Sequence, residues 1–182
     1  MLRKKIQLVS LSLLLSLFHC ASAWAELKAG ATAPSFTAPA ALAGQTFNFV
    51  LTEALKKGPV VVYFYPKAFT TGCTIEAQLF AEATDKFAAL KATVIGVSGD
   101  DIETLKKFSQ GPCGGKFAVA ADLDRSIIKA YDAAMLVMPS MASRISYVVT
   151  PDSKILFVHS GMNPDQHVSN TLAALQAWQA KK

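Results

Sequence analysis

Five consecutive residues, Val60-Val61-Val62-Tyr63-Phe64, are β-branched or aromatic with no polar alternation, which is the mark of a strand buried on both faces. The chain then turns at Pro66, and from Thr71 onward Ile75, Leu79, Ala83 and Phe87 recur at helical spacing. Cys73 therefore falls in or beside the first turn of a helix that follows directly on the buried strand. Unpaired backbone N–H groups and the positive end of the helix dipole favour a negative sulfur at that place. A free cysteine is also among the most often buried residue types, and there it is inert. Strand and helix alone leave both readings open. Thr70, three residues earlier, brings a hydroxyl that donates and accepts, and Pro66, lacking an N–H, suits the closing of a pocket against water.

Around this unit the pattern alternates. Ala29 to Gln45 is rich in Ala, Pro and Gly and reads as loop with short strands, while Thr93 to Ser98 is a second apolar strand. Asp101 to Gln110 reads as a second helix beginning after a good cap, and strand, helix, strand, helix in that order implies a parallel pair with a right-handed crossover. A short strand at Phe117 to Ala120 and a helix near Arg125 to Tyr131 come next. Ile145 to Thr150 and Ile155 to His159, joined through Pro151-Asp152-Ser153-Lys154, read as a hairpin. Pro164 to Ala180 reads as a closing helix with Val168, Leu172, Leu175 and Trp178 inward. If the Ile145 strand runs antiparallel to the strand ending at Tyr65, Arg144 stands at the same edge of the sheet as Cys73, the carboxyl edge where open α/β sheets carry their sites.

The chain opens on Met1-Leu2-Arg3-Lys4-Lys5, an apolar run from Ile6 to Phe18 and Ala21-Ser22-Ala23-Trp24-Ala25, the form of a secretory signal peptide over residues 1–25. The apolar run is shorter than the roughly 20 residues that span a bilayer. Small-x-small cleavage sites end at Ala23 and Ala25, and the second is preferred; His19 before Cys20 argues against a lipidated cysteine. Loss of Arg3, Lys4 and Lys5 takes the formal charge from +5 to +2, leaving no basic cluster for nucleic acid beyond the tail Lys181-Lys182. Residues 26–182 show no repeat, linker or composition break and read as one domain. That domain keeps two of the three cysteines, Cys73 and Cys113, and in an oxidising compartment such as a bacterial periplasm two cysteines form either a structural bridge or a catalytic pair. His159 and His167 show no ligand spacing, so both read as structural, with His167 near a helix start expected to be exposed; no metal or organic cofactor is expected.

The pattern Pro66-x-x-x-Thr70-x-x-Cys73 resembles the active-site signature of the peroxiredoxins, and Tyr63-Phe64-Tyr65-Pro66-Lys67-Ala68 with Gly72-Cys73-Thr74-Ile75-Glu76-Ala77 is similar to their PrxQ, or bacterioferritin-comigratory, branch. Val97-Ser98-Gly99-Asp100-Asp101, Ala121-Asp122-Leu123-Asp124 and Arg144-Ile145-Ser146-Tyr147-Val148-Val149 carry the resemblance to the C-terminal part. It implies an α/β, thioredoxin-like fold, a central mixed β-sheet flanked by helices. It implies reduction of hydroperoxides by a peroxidatic Cys73, with Thr70 bonding the peroxide, Pro66 shielding the sulfur, Arg144 stabilising thiolate and transition state, and Glu76 orienting Arg144. It also implies a resolving cysteine. Some members place it five residues on, where this chain has Gln78; others place it near the following helix, where Cys113 stands in Gly111-Pro112-Cys113-Gly114-Gly115. A permanent bridge or an idle thiol remains open for Cys113. The implied partners are a thioredoxin-like thiol reductant and no stable membrane, and the branch suggests a monomer or weak dimer.

Two other functions fit parts of the sequence. A periplasmic thiol-disulfide oxidoreductase is weakened because Thr70 and Glu76, not cysteines, flank Cys73 at three residues on either side. A holdase or binding module rests on Met135-Leu136-Val137-Met138-Pro139-Ser140-Met141, whose methionines could line an adaptable patch or bind Cu(I), though an apolar loop rimming the site is the simpler reading.

Overall fold

The computed structural model describes residues 26–181. The signal peptide expected over residues 1–25, with its expected cleavage sites and Cys20, lies outside the described residues.

The buried run forms strand β3 (Val60–Phe64), all five side chains buried, at the middle of a seven-stranded mixed sheet. Before it come β1 (Thr37–Leu42), β2 (Gln45–Val50) and a short helix α1 (Leu51–Leu55). After it come α2 (Thr71–Glu82), α3 (Thr84–Ala89), β4 (Thr93–Ser98), α4 (Ile102–Gln110), β5 (Ala118–Ala121), α5 (Ser126–Ala130), β6 (Ile145–Val149), β7 (Ile155–Ser160) and α6 (Pro164–Gln179). The strand order is β2-β1-β5-β4-β3-β6-β7. β3 pairs in parallel with β4, as expected from the strand–helix–strand pattern, and antiparallel with β6, Phe64 opposite Ile145. That register sets Arg144, one residue before β6, beyond the carboxyl end of β3. The expected thioredoxin-like mixed sheet is the observed one.

Two apolar layers sandwich the sheet. One holds Phe36, Phe64, Ile128, Tyr131 and Tyr147; the other holds Tyr63, Tyr65, Phe80, Phe87, Phe108 and Leu175, packed under α2, α4 and α6. Each fully buried side chain of this size contributes about 1.5–3 kcal/mol relative to exposure. The aromatic layer beneath α2 is continuous: Tyr63 stacks on Phe80 with centroids 4.4 Å apart, and Tyr65 on Phe108 at 5.6 Å.

The segment up to Gln45 is loop with strand, as expected: β1 and β2 form a hairpin closed at Ala43-Gly44, both at positive φ as a tight hairpin turn requires. Three local expectations are corrected. The helix from Thr71 does not continue to Phe87, because Ala83 leaves helical geometry at ψ −1° and α3 starts anew. The inward face of α2 is also turned by about one residue: Cys73, Glu76, Ala77 and Phe80 are buried, while Ile75 is 44% exposed. In α6, Val168 and Leu175 are buried as expected, whereas Leu172 and Trp178 are only half-buried and His167 and Thr171 take the inward places. Among the described residues no helix is long and apolar enough to cross a membrane.

Candidate active site

Cys73 is the third residue of α2 and is 2% exposed. Thr70 occupies the N-cap position but supplies no cap, because its hydroxyl donates to the Lys67 carbonyl at 3.0 Å. The amides of the first turn are thus left without a side-chain acceptor at the point where Cys73 sits. The loop carrying Pro66 and Thr70 is held from the next strand. Tyr65 N–H donates to Val97 O, and Ala68 N–H donates to the Asp100 carboxylate at 2.8 Å, which also accepts from Ser98 Oγ. Pro66 is half-buried and Thr70 exposed in the loop that leads into α2. Phe69, between them, adopts φ 64°, a costly conformation for a bulky residue, and sets its ring edge-on to Phe108 at 5.1 Å.

Arg144 reaches Cys73 from the neighbouring strand. Its Nη2 lies 3.4 Å from Cys73 Sγ and its Nη1 donates to Glu76 Oε2, three residues on along α2. Gly72 makes room, since a Cβ there would lie 3.1 Å from Arg144 Nη2. Arg144 and Glu76 are both buried, so the readings of a surface arginine and a solvated helix carboxylate are set aside. Burial pushes the Glu76 carboxyl up, to about 8, against the opposing pull of Arg144.

Behind Glu76 stands His167 of α6, and here the expectation is overturned. His167 is fully buried, with Nε2 2.9 Å from Gly161 O, Nδ1 2.8 Å from Ser146 Oγ and Nδ1 3.8 Å from Glu76 Oε1. Burial drives it down to about 4, with the charges of His159 and Arg144 adding to the effect and the Gly161 bond opposing it. His167, Thr171 and Leu175 share the inward face of α6, but the first two are polar and give no apolar periodicity.

Cys113 follows α4 in a turn where its N–H donates to Phe108 O, and it is fully buried in the same apolar layer as Cys73. Both thiols are free, so a permanent bridge is set aside, and burial pushes the Cys113 thiol well above the usual thiol range. The methionine segment precedes Arg144 and so borders this edge of the sheet. Met135 and Met141 are half-buried with a backbone bond between them, Leu136 and Val137 are exposed, and Arg125 Nε ties the segment down through Ser140 O. Among the described residues no group of three or more His, Cys, Asp or Glu is placed to hold a metal ion. A cleft of about 500 Å³ lined by Phe47, Val50, Phe87 and Lys116 lies against β2 and α3 and contains none of these residues.

A cysteine at a helix start, at the carboxyl edge of a thioredoxin-like sheet, with a guanidinium on its sulfur and no second cysteine in its first turns, defines a thiol enzyme that works by a single attacking sulfur. Residues 29–158 match the AhpC/TSA family, and the chain belongs to it. Over 157 residues it is 31% identical to the chloroplastic peroxiredoxin Q of Sedum lineare, covering 86% of this chain and 82% of that one. Over 153 residues it is 31% identical to peroxiredoxin Q of Oryza sativa subsp. japonica, covering 84% and 68%. The crystal structure of peroxidoxin BcpB from Mycobacterium tuberculosis superposes with a TM-score of 0.75 at 29% identity, over 83% of this chain and 97% of that one. The protein is a thiol peroxidase of the peroxiredoxin Q type.

Proposed function

We propose that this peroxidase reduces hydrogen peroxide and organic hydroperoxides at Cys73. The thiolate attacks the distal peroxide oxygen; the S–O bond forms as the O–O bond breaks, leaving Cys73 as sulfenic acid and the other oxygen as hydroxide or alkoxide, which takes a proton and departs as water or alcohol. The observation that carries this reading is the Arg144 Nη2 contact with Cys73 Sγ at the uncapped start of α2. Guanidinium and free amides are preorganised donors for charge that moves from sulfur to the leaving oxygen. Thr70, exposed at the start of α2, serves as hydrogen-bond partner to the peroxide, and Pro66 limits water. Cys113 then attacks the sulfenic acid, releasing water and forming a disulfide that a thioredoxin-like dithiol reduces. The enzyme works as a monomer or weak dimer after export to the periplasm. Mass measurement of the exported chain tests the last point, with an N-terminus at Glu26 expected and a retained leader refuting it.

Peroxide consumption by the pre-reduced protein is the direct test. One fast turnover per Cys73 is expected, and insulin reduction without peroxide turnover overturns the reading. Arg144→Lys keeps the charge but loses the planar fork that serves sulfur and carboxylate together. It is expected to slow sulfenate formation by about 100-fold and to raise the pH midpoint of Cys73 alkylation. An unchanged alkylation profile removes Arg144 from the site.

A further inference from the structure

Arg144 is one cation placed between two acidic groups, the Cys73 thiol and the Glu76 carboxyl. Two anions on one buried guanidinium leave a net negative charge in a dry site, so one of the two acids keeps its proton. The surroundings of Glu76 favour that it is the carboxyl. Its Oε2 accepts from Arg144, but its Oε1 is buried with no hydrogen-bond donor aimed at it. What faces Oε1 is His167 Nδ1. The Gly161 carbonyl only accepts, so His167 Nε2 carries the ring proton and the neutral ring presents Nδ1 as a bare acceptor, taking the Ser146 hydroxyl proton. At 3.8 Å, with its lone pair taken by Ser146, Nδ1 makes no hydrogen bond to Oε1, but an ionised Oε1 meets an acceptor there and no donor that offsets its charge.

We propose that Glu76 keeps its proton on the far side of Arg144 because neutral His167 turns an acceptor and no donor toward it, leaving the guanidinium charge to the Cys73 sulfur and making His167 a positioning residue for the attacking thiolate. The proposal rests on Cys73 as the peroxide-reactive thiol. The reactive site then carries one anion, on sulfur, and one cation. Burial favours the neutral form of both groups, pushing the Glu76 carboxyl up and the His167 ring down. The groups facing Glu76 are Arg144 at the start of β6, Ser146 within β6, His167 on α6, Cys73 on its own helix and the buried Tyr63 hydroxyl of β3, with His159 of β7 behind His167 at a ring separation of 4.6 Å. Loss of the Glu76 proton as pH rises lets Glu76 compete for Arg144, so the sulfur loses support on the alkaline side.

His167→Gln tests this, because the glutamine amide still donates to the Gly161 carbonyl while Nδ1 is gone. The pH midpoint of Cys73 alkylation is expected to rise by about one unit, with sulfenate formation about tenfold slower near neutral pH. In a Glu76→Gln background, where no carboxyl proton exists, the same substitution is expected to add no shift. His167→Asn, which returns an amide near the Nδ1 position, is expected to recover part of the loss. An unchanged midpoint in His167→Gln, or an equal shift in both backgrounds, overturns the proposal. Infrared spectroscopy of the wild type supplies a reading that needs neither turnover nor a folded His167 variant: a protonated carboxyl band near neutral pH that disappears in Glu76→Gln is expected, and its absence also overturns the proposal. If peroxide turnover survives loss of Cys73, the enzyme reading fails instead, and the two failures are told apart.

Discussion

Cys73→Ser is expected to lower peroxide reduction by more than about 10⁴-fold, to the level of a buffer blank, while the protein stays folded. Removal of the nucleophile in other covalent catalysts costs rates of this order or larger, because the remaining binding groups have nothing to activate. A serine hydroxyl at neutral pH is not ionised, and Arg144 beside it cannot make it so. Stability is a separate matter. Serine is nearly isosteric, Cys73 is 2% exposed, and Arg144 Nη2 at 3.4 Å offers the new hydroxyl a donor. The stability loss is therefore expected to stay near about 1 kcal/mol. Thermal unfolding and a peroxide consumption trace on the same sample check both halves. Turnover retained by the folded variant sinks the assignment of Cys73.

The sequence exposed the site's skeleton and concealed its rear wall. The skeleton was legible because it obeys ordinary local rules. Val60 to Phe64 has no polar residue to dispute burial on both faces, and once β6 lies antiparallel to β3, the one condition the sequence left open, pairing of Phe64 with Ile145 carries Arg144 to Cys73. The rear wall breaks those rules. Glu76 looks like a solvent residue on a helix, so the apolar spacing of Ile75 and Leu79 pointed to the wrong face of α2. In the fold the pairing of Glu76 with Arg144 decides the face, and Ile75 is left largely in water. His167 misled for the same reason, as a polar residue one turn into a helix whose burial is set by partners on β6 and in the turn after β7. Polar residues buried by long-range partners carry no periodic signal of their own.

Oxidation by one equivalent of hydrogen peroxide is expected to join Cys73 to Cys113 within one chain, the larger structural change of the two argued here. Cys113 is fully buried and its thiol is held neutral by burial, yet attack on a sulfenic acid needs a thiolate, so the native turn must open before it can act. The turn is built for that. Gly114 and Gly115 both sit at positive φ, and Cys113 N–H is held by Phe108 O at 3.2 Å. Phe108 in turn stacks on Tyr65 and meets Phe69, whose left-handed backbone lies in the loop just before Cys73. Opening one segment therefore loosens the other. A disulfide needs its Cα atoms within about 7 Å, which unwinding the first turn of α2 and swinging the Cys113 turn together supply. The bridge closes a loop of about 40 residues, worth roughly 4 kcal/mol of chain entropy in the simplest treatment, set against the burial that both segments give up. Peptide mapping after peroxide is the measurement, with Cys113→Ser as control. The wild type is expected to yield the Cys73–Cys113 peptide pair and to be protected from further oxidation. The variant is expected to stop at sulfenic acid or advance to sulfinic acid as peroxide is added. If the wild type gives only mixed disulfides with an added thiol, the enzyme works with Cys73 alone and Cys113 is a packing residue.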